Sequence, residues 1–197
     1  MQSNDVFGYI LMFFVIFMIV KIYYESDYFQ LKCIISEEDG NRYCVRERNK
    51  MQLAADLLAR TTKKMKLLVK YMIKKYPDKA NVKRLKDNFD PKVVVETLPT
   101  SEYTAYSENK GQKLAFCVTT TKEGNKLIDE NTLTFVAMHE LAHCMTASIG
   151  HKAEFWQNFK FLIENAKKMG IYKADDYKKN PVSYCGMEIT DNPLFDL

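Results

Sequence analysis

The chain opens on an unbroken apolar block and then changes its hydrophobic period several times. Val6 to Val20 (VFGYILMFFVIFMIV) carries no charge and no strongly polar group. With Lys21 snorkelling to the interface, the block runs on through Ile22, Tyr23 and Tyr24 to give nineteen residues. At about 1.5 Å per residue that is roughly 28 Å, close to the hydrocarbon thickness of a bilayer. A buried core helix would be apolar on one face only, whereas this block is apolar all round. A cleaved signal peptide would start with Lys or Arg and end in small residues; here Asp5 precedes the block and Lys-Ile-Tyr-Tyr follows it. Residues 1–24 therefore read as a retained single-span anchor inserted through residues 6–24, with Tyr9, Tyr23 and Tyr24 suited to the interfacial belts.

Residues 25–48 read as a connector and hairpin. A four-residue loop, Glu37-Glu38-Asp39-Gly40, sets Ser36 opposite Asn41 and hence Cys33 opposite Cys44. That register permits a cross-strand disulfide, the alternative being two reduced cysteines. From Lys50 to Tyr76 the positions Ala54, Leu58, Met65, Leu68, Val69, Met72 and Tyr76 recur at helical spacing, and Pro77-Asp78 stops the helix. A shorter helix, Ala80 to Asn88, ends before Asp90-Pro91. Strand-like runs follow at Lys92 to Thr97, Tyr103 to Ser107 and Lys113 to Thr119, with turns at 108–111 and 122–125. Asn131 or Thr132 can cap a helix through the 130s and 140s that stops at Gly150. A last helix, about Lys152 to Met169, ends at Gly170, and the tail looks irregular. Over residues 49–197 this predicts one α+β domain: an N-terminal helix, a small mixed sheet, a central helix and a C-terminal helix.

Composition narrows the class. At 197 residues, 47% hydrophobic and 27% charged, the chain has material for a single core and is not a disordered segment. Its mean hydropathy of −0.32 excludes a polytopic membrane protein. Net charge is only +4, but between Arg46 and Lys86 fourteen Lys/Arg face three acidic residues. The first reading of that excess is the solvated face of an amphipathic helix, and the second is contact with anionic lipid beneath the anchor. No stacking-aromatic signature points to nucleic acid. Lys21, Lys32, Arg42, Arg46 and Arg48 follow the apolar block and no Lys or Arg precedes it, which places the domain on the cytoplasmic side. A Cys33–Cys44 disulfide would argue the other way. The five cysteines contain no CxxC, so no zinc ribbon is implied.

The chemistry is concentrated in TFVAMHELAHCM, Thr134 to Met145, which holds His139-Glu140-Leu141-Ala142-His143. Residues four apart on a helix point the same way, so both imidazoles can reach one zinc at about 2.0–2.1 Å. Glu140 then projects beside the metal, where it can accept a proton from water as a general base. All three histidines of the chain lie between 139 and 151. Random scatter would put three histidines in such a window about one or two times in a hundred, so the clustering is itself a signal. A hydrolytic zinc needs three protein ligands and an open position. His151 is the expected third ligand, brought back by Gly150 at positive φ, with Glu164 on the next helix as the rival and Glu154 behind it. Tyr184 is the first candidate for an oxyanion donor and Tyr106 the second. Cys144, on the opposite helix face from the ligands, reads as core, and Phe155, Trp156, Phe159 and Phe161 read as packing behind the site.

The stretch HELAHCMTASIGHKAEFW resembles the zinc-site segment of WLM-type and SprT-like (Spartan-like) zincin metallopeptidases, in which a nearby His and an aromatic pair follow the HExxH helix. The run from Thr97 to Pro193, with KLAFCVT and Tyr184-Cys185-Gly186, is similar to small membrane-tethered metallopeptidases encoded by large DNA viruses. His143 and His151 are eight apart, where metzincins and many WLM members use six, and a Met-turn is marked only by Met187. The resemblance implies a zincin-like domain, a zinc ion, a peptide or protein substrate, and a viral or virion membrane. It also implies that the strand Lys113 to Thr119 is the sheet edge that receives the substrate. The resulting expectation is a membrane-anchored zinc endopeptidase. Its rivals are a catalytically inactive zinc-bound interaction module and a protease recruited to DNA–protein adducts.

Overall fold

In the computed structural model, which describes residues 3–90 and 93–195, the apolar block is one helix, α1 (Ser3–Glu25). From Val6 to Glu25 it is long and apolar enough to cross a membrane, and none of that stretch is buried against the rest of the chain. A short helix, α2 (Asp27–Gln30), turns the chain into β1 (Leu31–Ile35) and β2 (Arg42–Arg46).

The β1–β2 register is the one that the loop length dictates. Ser36 N–H donates to the Asn41 carbonyl at 2.9 Å, Cys33 lies directly opposite Cys44, and the two are disulfide-bonded. This hairpin is no spacer between α1 and the domain, because β2 joins the domain's sheet through β3 (Val94–Glu96). Buried Asp56 on α3 (Met51–Lys75) holds the tip, accepting from Ser36 Oγ at 2.6 Å and from Glu37 N–H at 2.9 Å. The apolar positions read from the α3 period, Ala54 through Met72, are all buried there, with Tyr76 half-buried just past the end. Lys63, Lys66, Lys70 and Lys74 line its exposed face. Five of the fourteen basic residues are spent internally: Arg46 and Arg48 on Glu96, Arg60 and Lys64 on Glu130, and Arg84 on Glu154.

The sheet has five strands in the order β1-β2-β3-β5-β4, with β4 (Ala105–Glu108) and β5 (Lys113–Phe116). The β2–β3 and β3–β5 pairs are parallel, and β4 is antiparallel to β5. The strand expected at the sheet edge, β5, is therefore interior, and β4 takes the edge. The reason lies in side-chain character: Leu114, Ala115 and Phe116 are wholly buried, whereas β4 is half-buried and polar at Ser107 and Glu108. Pro91 and Lys92, where the first expected strand begins, fall outside the described residues. Gly111 closes the β4–β5 turn at φ 124°, and a Cβ there would sit 2.4 Å from the Asn88 carbonyl oxygen. Only glycine allows that turn to lie against α4 (Ala80–Asn88).

The central helix, α5 (Glu130–Met145), packs against α3, α4, β4 and α6 (Ala153–Lys168) and is buried around nearly its whole circumference. Its cap is Asp129, not Asn131 or Thr132: the carboxylate accepts from Thr132 N–H at 2.9 Å and from Thr132 Oγ1 at 2.6 Å. Asn131 is occupied elsewhere, donating to the Lys173 carbonyl and to Asp175. The helix also ends at Met145, five residues before Gly150. Side chains from outside capture its last carbonyls: Asn88 Nδ2 donates to Cys144 O, Arg84 Nε to Met145 O, and Lys110 Nζ to Thr146 O. The tail is more ordered than expected. Val182–Tyr184 (β6) and Met187–Ile189 (β7) form a hairpin that a second disulfide, Cys117–Cys185, ties to the end of β5.

Cys144 is then the one free, buried cysteine. Protein purified and unfolded without reductant should therefore take up one alkylating group by mass spectrometry, and five after reduction. Uptake of three or more before reduction would contradict the paired cysteines.

Candidate metal centre

His139 and His143 project one turn apart from α5, and the seven-residue loop 146–152 brings His151 to meet them. The three rings form a near-equilateral triangle with centroids 5.0, 4.9 and 4.9 Å apart. Their donor nitrogens all lie within 4.8 Å of one another, and His139 Nε2 is 2.9 Å from His151 Nε2. Two nitrogens on one tetrahedral zinc sit roughly 3.3 Å apart, so a small ring rotation adapts this set to the ion. Burial, together with the neighbouring imidazoles, pushes His139 down to about 3. Burial, His151 and Lys110 bring His143 to about 4. Both rings are thus neutral at pH 7, the form that binds a metal.

Glu140 fits the same purpose. It is 4% exposed, lines the same cavity as the histidines, and its Oε2 is buried without a hydrogen-bond partner. Burial alone pushes its carboxyl up to about 8, and an adjacent cation would draw it back down. An isolated buried carboxylate is costly, so this geometry suits a residue completed by a metal and water rather than a structural one.

Glu164 stays out of the cluster, which among the described residues comprises the three histidines alone. Glu154 has another job. It pairs with Arg84 at 2.7 Å and accepts from Ala147 N–H and from the backbone and hydroxyl of Ser148, pinning the loop that carries His151. Trp156 Nε1 donates to the His151 carbonyl at 3.1 Å. Phe155 forms the floor, its ring centroid 4.5 to 4.8 Å from all three imidazoles. Gly150, at φ 80°, turns the loop just before the ligand. The clamp by Glu154 and Trp156 was hidden in the sequence, since it depends on α4 and α6 arriving at the end of α5. Glu154→Ala should weaken zinc binding by roughly tenfold to a hundredfold in a chelator competition, the usual loss when a ligand's support is removed. An unchanged affinity would mean that the loop holds itself.

Both tyrosines expected as oxyanion donors have their hydroxyls engaged elsewhere. Tyr184 is buried, and its hydroxyl donates to the Thr104 carbonyl at 3.1 Å. Tyr106 lies on the opposite face of β4 from Ser107, which reaches Cys144 on α5, and its hydroxyl accepts from Lys113 Nζ. Hydroxyl residues that line the cavity include Tyr103, Tyr106, Ser107 and Ser148. The cavity has a volume of about 1260 Å³ and runs from the three histidines past the outer edge of β4.

The chain is 29% identical over 163 residues to "Uncharacterized protein R325" of Acanthamoeba polyphaga mimivirus, covering 81% of this chain and 82% of that protein. It is 34% identical to "Uncharacterized protein 136R" of Invertebrate iridescent virus 6 and to "Uncharacterized protein 042R" of Invertebrate iridescent virus 3. Those two matches cover 41% and 42% of this chain and about half of each viral protein. No protein family model and no solved structure matches it. The sequence relatives are thus proteins of large DNA viruses.

Proposed function

We propose that the chain is a membrane-anchored zinc endopeptidase of the zincin type, similar to the WLM and SprT-like enzymes. The observation that carries this reading is the convergence of three imidazoles and an unpartnered buried Glu140 oxygen in one cavity beside a free strand edge. His139, His143 and His151 would hold the ion and leave a coordination position open. A bound zinc would supply Lewis acidity, lowering the pKa of a water and polarising a carbonyl. Glu140 accepts a proton from the attacking water and passes it to the leaving nitrogen. The water oxygen joins the carbonyl carbon, the C–N bond breaks, and a carboxylate and an ammonium leave. The outer edge of β4 offers backbone groups to an extended substrate, and the alternation of the strand aims every second side chain at α5.

The same site argues against the inactive-module reading, because a structural zinc gains nothing from a buried carboxylate beside it. The sequence carries no stacking-aromatic signature of a nucleic-acid-binding module, which disfavours the DNA-adduct reading. For the anchor, the two disulfides favour an oxidising side of the membrane, against the charge bias, which favours the cytoplasmic side.

The test is zinc content and cleavage of unfolded casein by the full chain in detergent. One zinc per chain and chelator-sensitive cleavage are expected. His151→Ala should lose the metal and Glu164→Ala should keep it; the reverse result would move the third ligand to α6.

A further inference from the structure

The cavity that holds the histidine cluster has an unusual far wall. Beyond β4 it is lined by Lys21 and Glu25 from the last turns of α1, and by Asp27 from α2. These are the residues at which the apolar span ends. The foot of α1 is also fastened to the domain. Lys113 Nζ on β5 pairs with Asp27 at 2.6 Å and with Glu108 at 2.9 Å, and Thr100 Oγ1 donates to the Tyr24 carbonyl at 3.3 Å. Gln30 Nε2 closes the joint from the other side, donating to the Tyr23 carbonyl at 2.9 Å. Tyr28 and Phe29, 85% and 53% exposed, stand beside this joint, where interfacial aromatics belong.

From this geometry we infer that the site acts on the membrane-proximal segments of other membrane-anchored polypeptides. The inference rests on the peptidase reading above and names its substrate class. A span held by Asp27 and Thr100 fixes the orientation of the domain, so one end of the substrate slot opens where headgroups begin. An extended chain rises about 3.3 Å per residue, so a strand leaving the bilayer, passing the foot of α1 and lying on β4 needs roughly six to ten residues to reach the histidines. A polypeptide anchored in the same bilayer enters the slot in this direction without bending. A soluble chain must instead thread its end toward the headgroups. Tyr103 and Ile149, 64% and 87% exposed on the rim, offer apolar contact to a segment of this kind.

The test uses the full chain, zinc-loaded, in vesicles of neutral phospholipid. The substrate is a single-span protein whose unstructured stalk carries one casein-derived sequence either five or forty residues from the span. The same sequence is also supplied as a free peptide. Cleavage sites and rates are read by mass spectrometry. The expected result is cutting within about ten residues of the span, at least tenfold faster than in the distal copy or the free peptide. A twenty-residue Gly/Ser linker inserted between Glu25 and Ser26 should move the cuts outward along the stalk. Equal cutting of proximal, distal and free sequences would overturn this inference and leave the peptidase reading standing. Zinc-loaded protein that cuts none of the three would overturn both.

Discussion

The Glu140→Gln protein is expected to bind zinc with wild-type stoichiometry and to cleave casein at least a hundredfold more slowly, within the usual range of about 10²–10⁴ for a positioned general base. The two properties separate because the side chain is placed beside the histidines and not among their donor atoms. Glutamine fills the same volume and keeps a hydrogen-bonding group at the otherwise unpartnered position, so the packing around it should be kept. It has no basic oxygen to take a proton from water. The decisive measurement pairs metal content with initial rate on the same sample. Loss of rate with loss of zinc would mean that Glu140 supports the ligands, and retention of both would remove it from the chemistry.

Breaking Cys117–Cys185 should have the largest effect on stability. The bond spans a sequence separation of 68, and loop-closure entropy for a loop of that length is worth about 4 kcal/mol. For a chain of this size that is a melting-temperature drop on the order of 10 °C in the Cys117→Ser/Cys185→Ser protein. Cys33–Cys44, with a separation of 11, should be worth less, about 3 kcal/mol, because its hairpin is a short loop already closed by a ladder. The larger loss should also reach the site. Next to Cys185, Tyr184 holds the Thr104 carbonyl at the start of β4, and Cys185 N–H donates to Thr119 O. A double variant that melts within a degree or two of wild type would show that the hairpin β6–β7 docks without its covalent tie.

How much of this was visible in the sequence depends on the range of the forces involved. The apolar N-terminal helix, the α3 face and the β1–β2 register follow from local period and loop length, and they match the structure closely. The histidine cluster was legible because two of its members lie one helical turn apart and the chain owns no other histidine beyond the third. The end of α5 was not legible. Gly150 was the strongest local stop, yet Asn88, Arg84 and Lys110 take the carbonyls of residues 144–146 first, and all three come from elsewhere in the chain. The exchange of edge and interior between β4 and β5 has the same origin, since a four-residue strand carries too little pattern to declare its neighbours. Pairing of Cys117 with Cys185 rests on the fold, because five cysteines allow many connectivities. Tyr184 sits next to that pair, and its hydroxyl is diverted to Thr104 by a hairpin that no periodicity announced.

Cys144 gives the molecule a reporter of its own. Four thiols are locked away in disulfides, and the fifth lies beneath β4 with its sulfur 3.8 Å from Ser107 Oγ, burial having pushed it up to about 11. A reagent can reach it only during excursions that lift the edge strand from the helix below. The alkylation rate of the native protein therefore clocks the breathing of β4 against α5, with no label introduced. A peptide bound along β4 should slow that clock by holding the strand down.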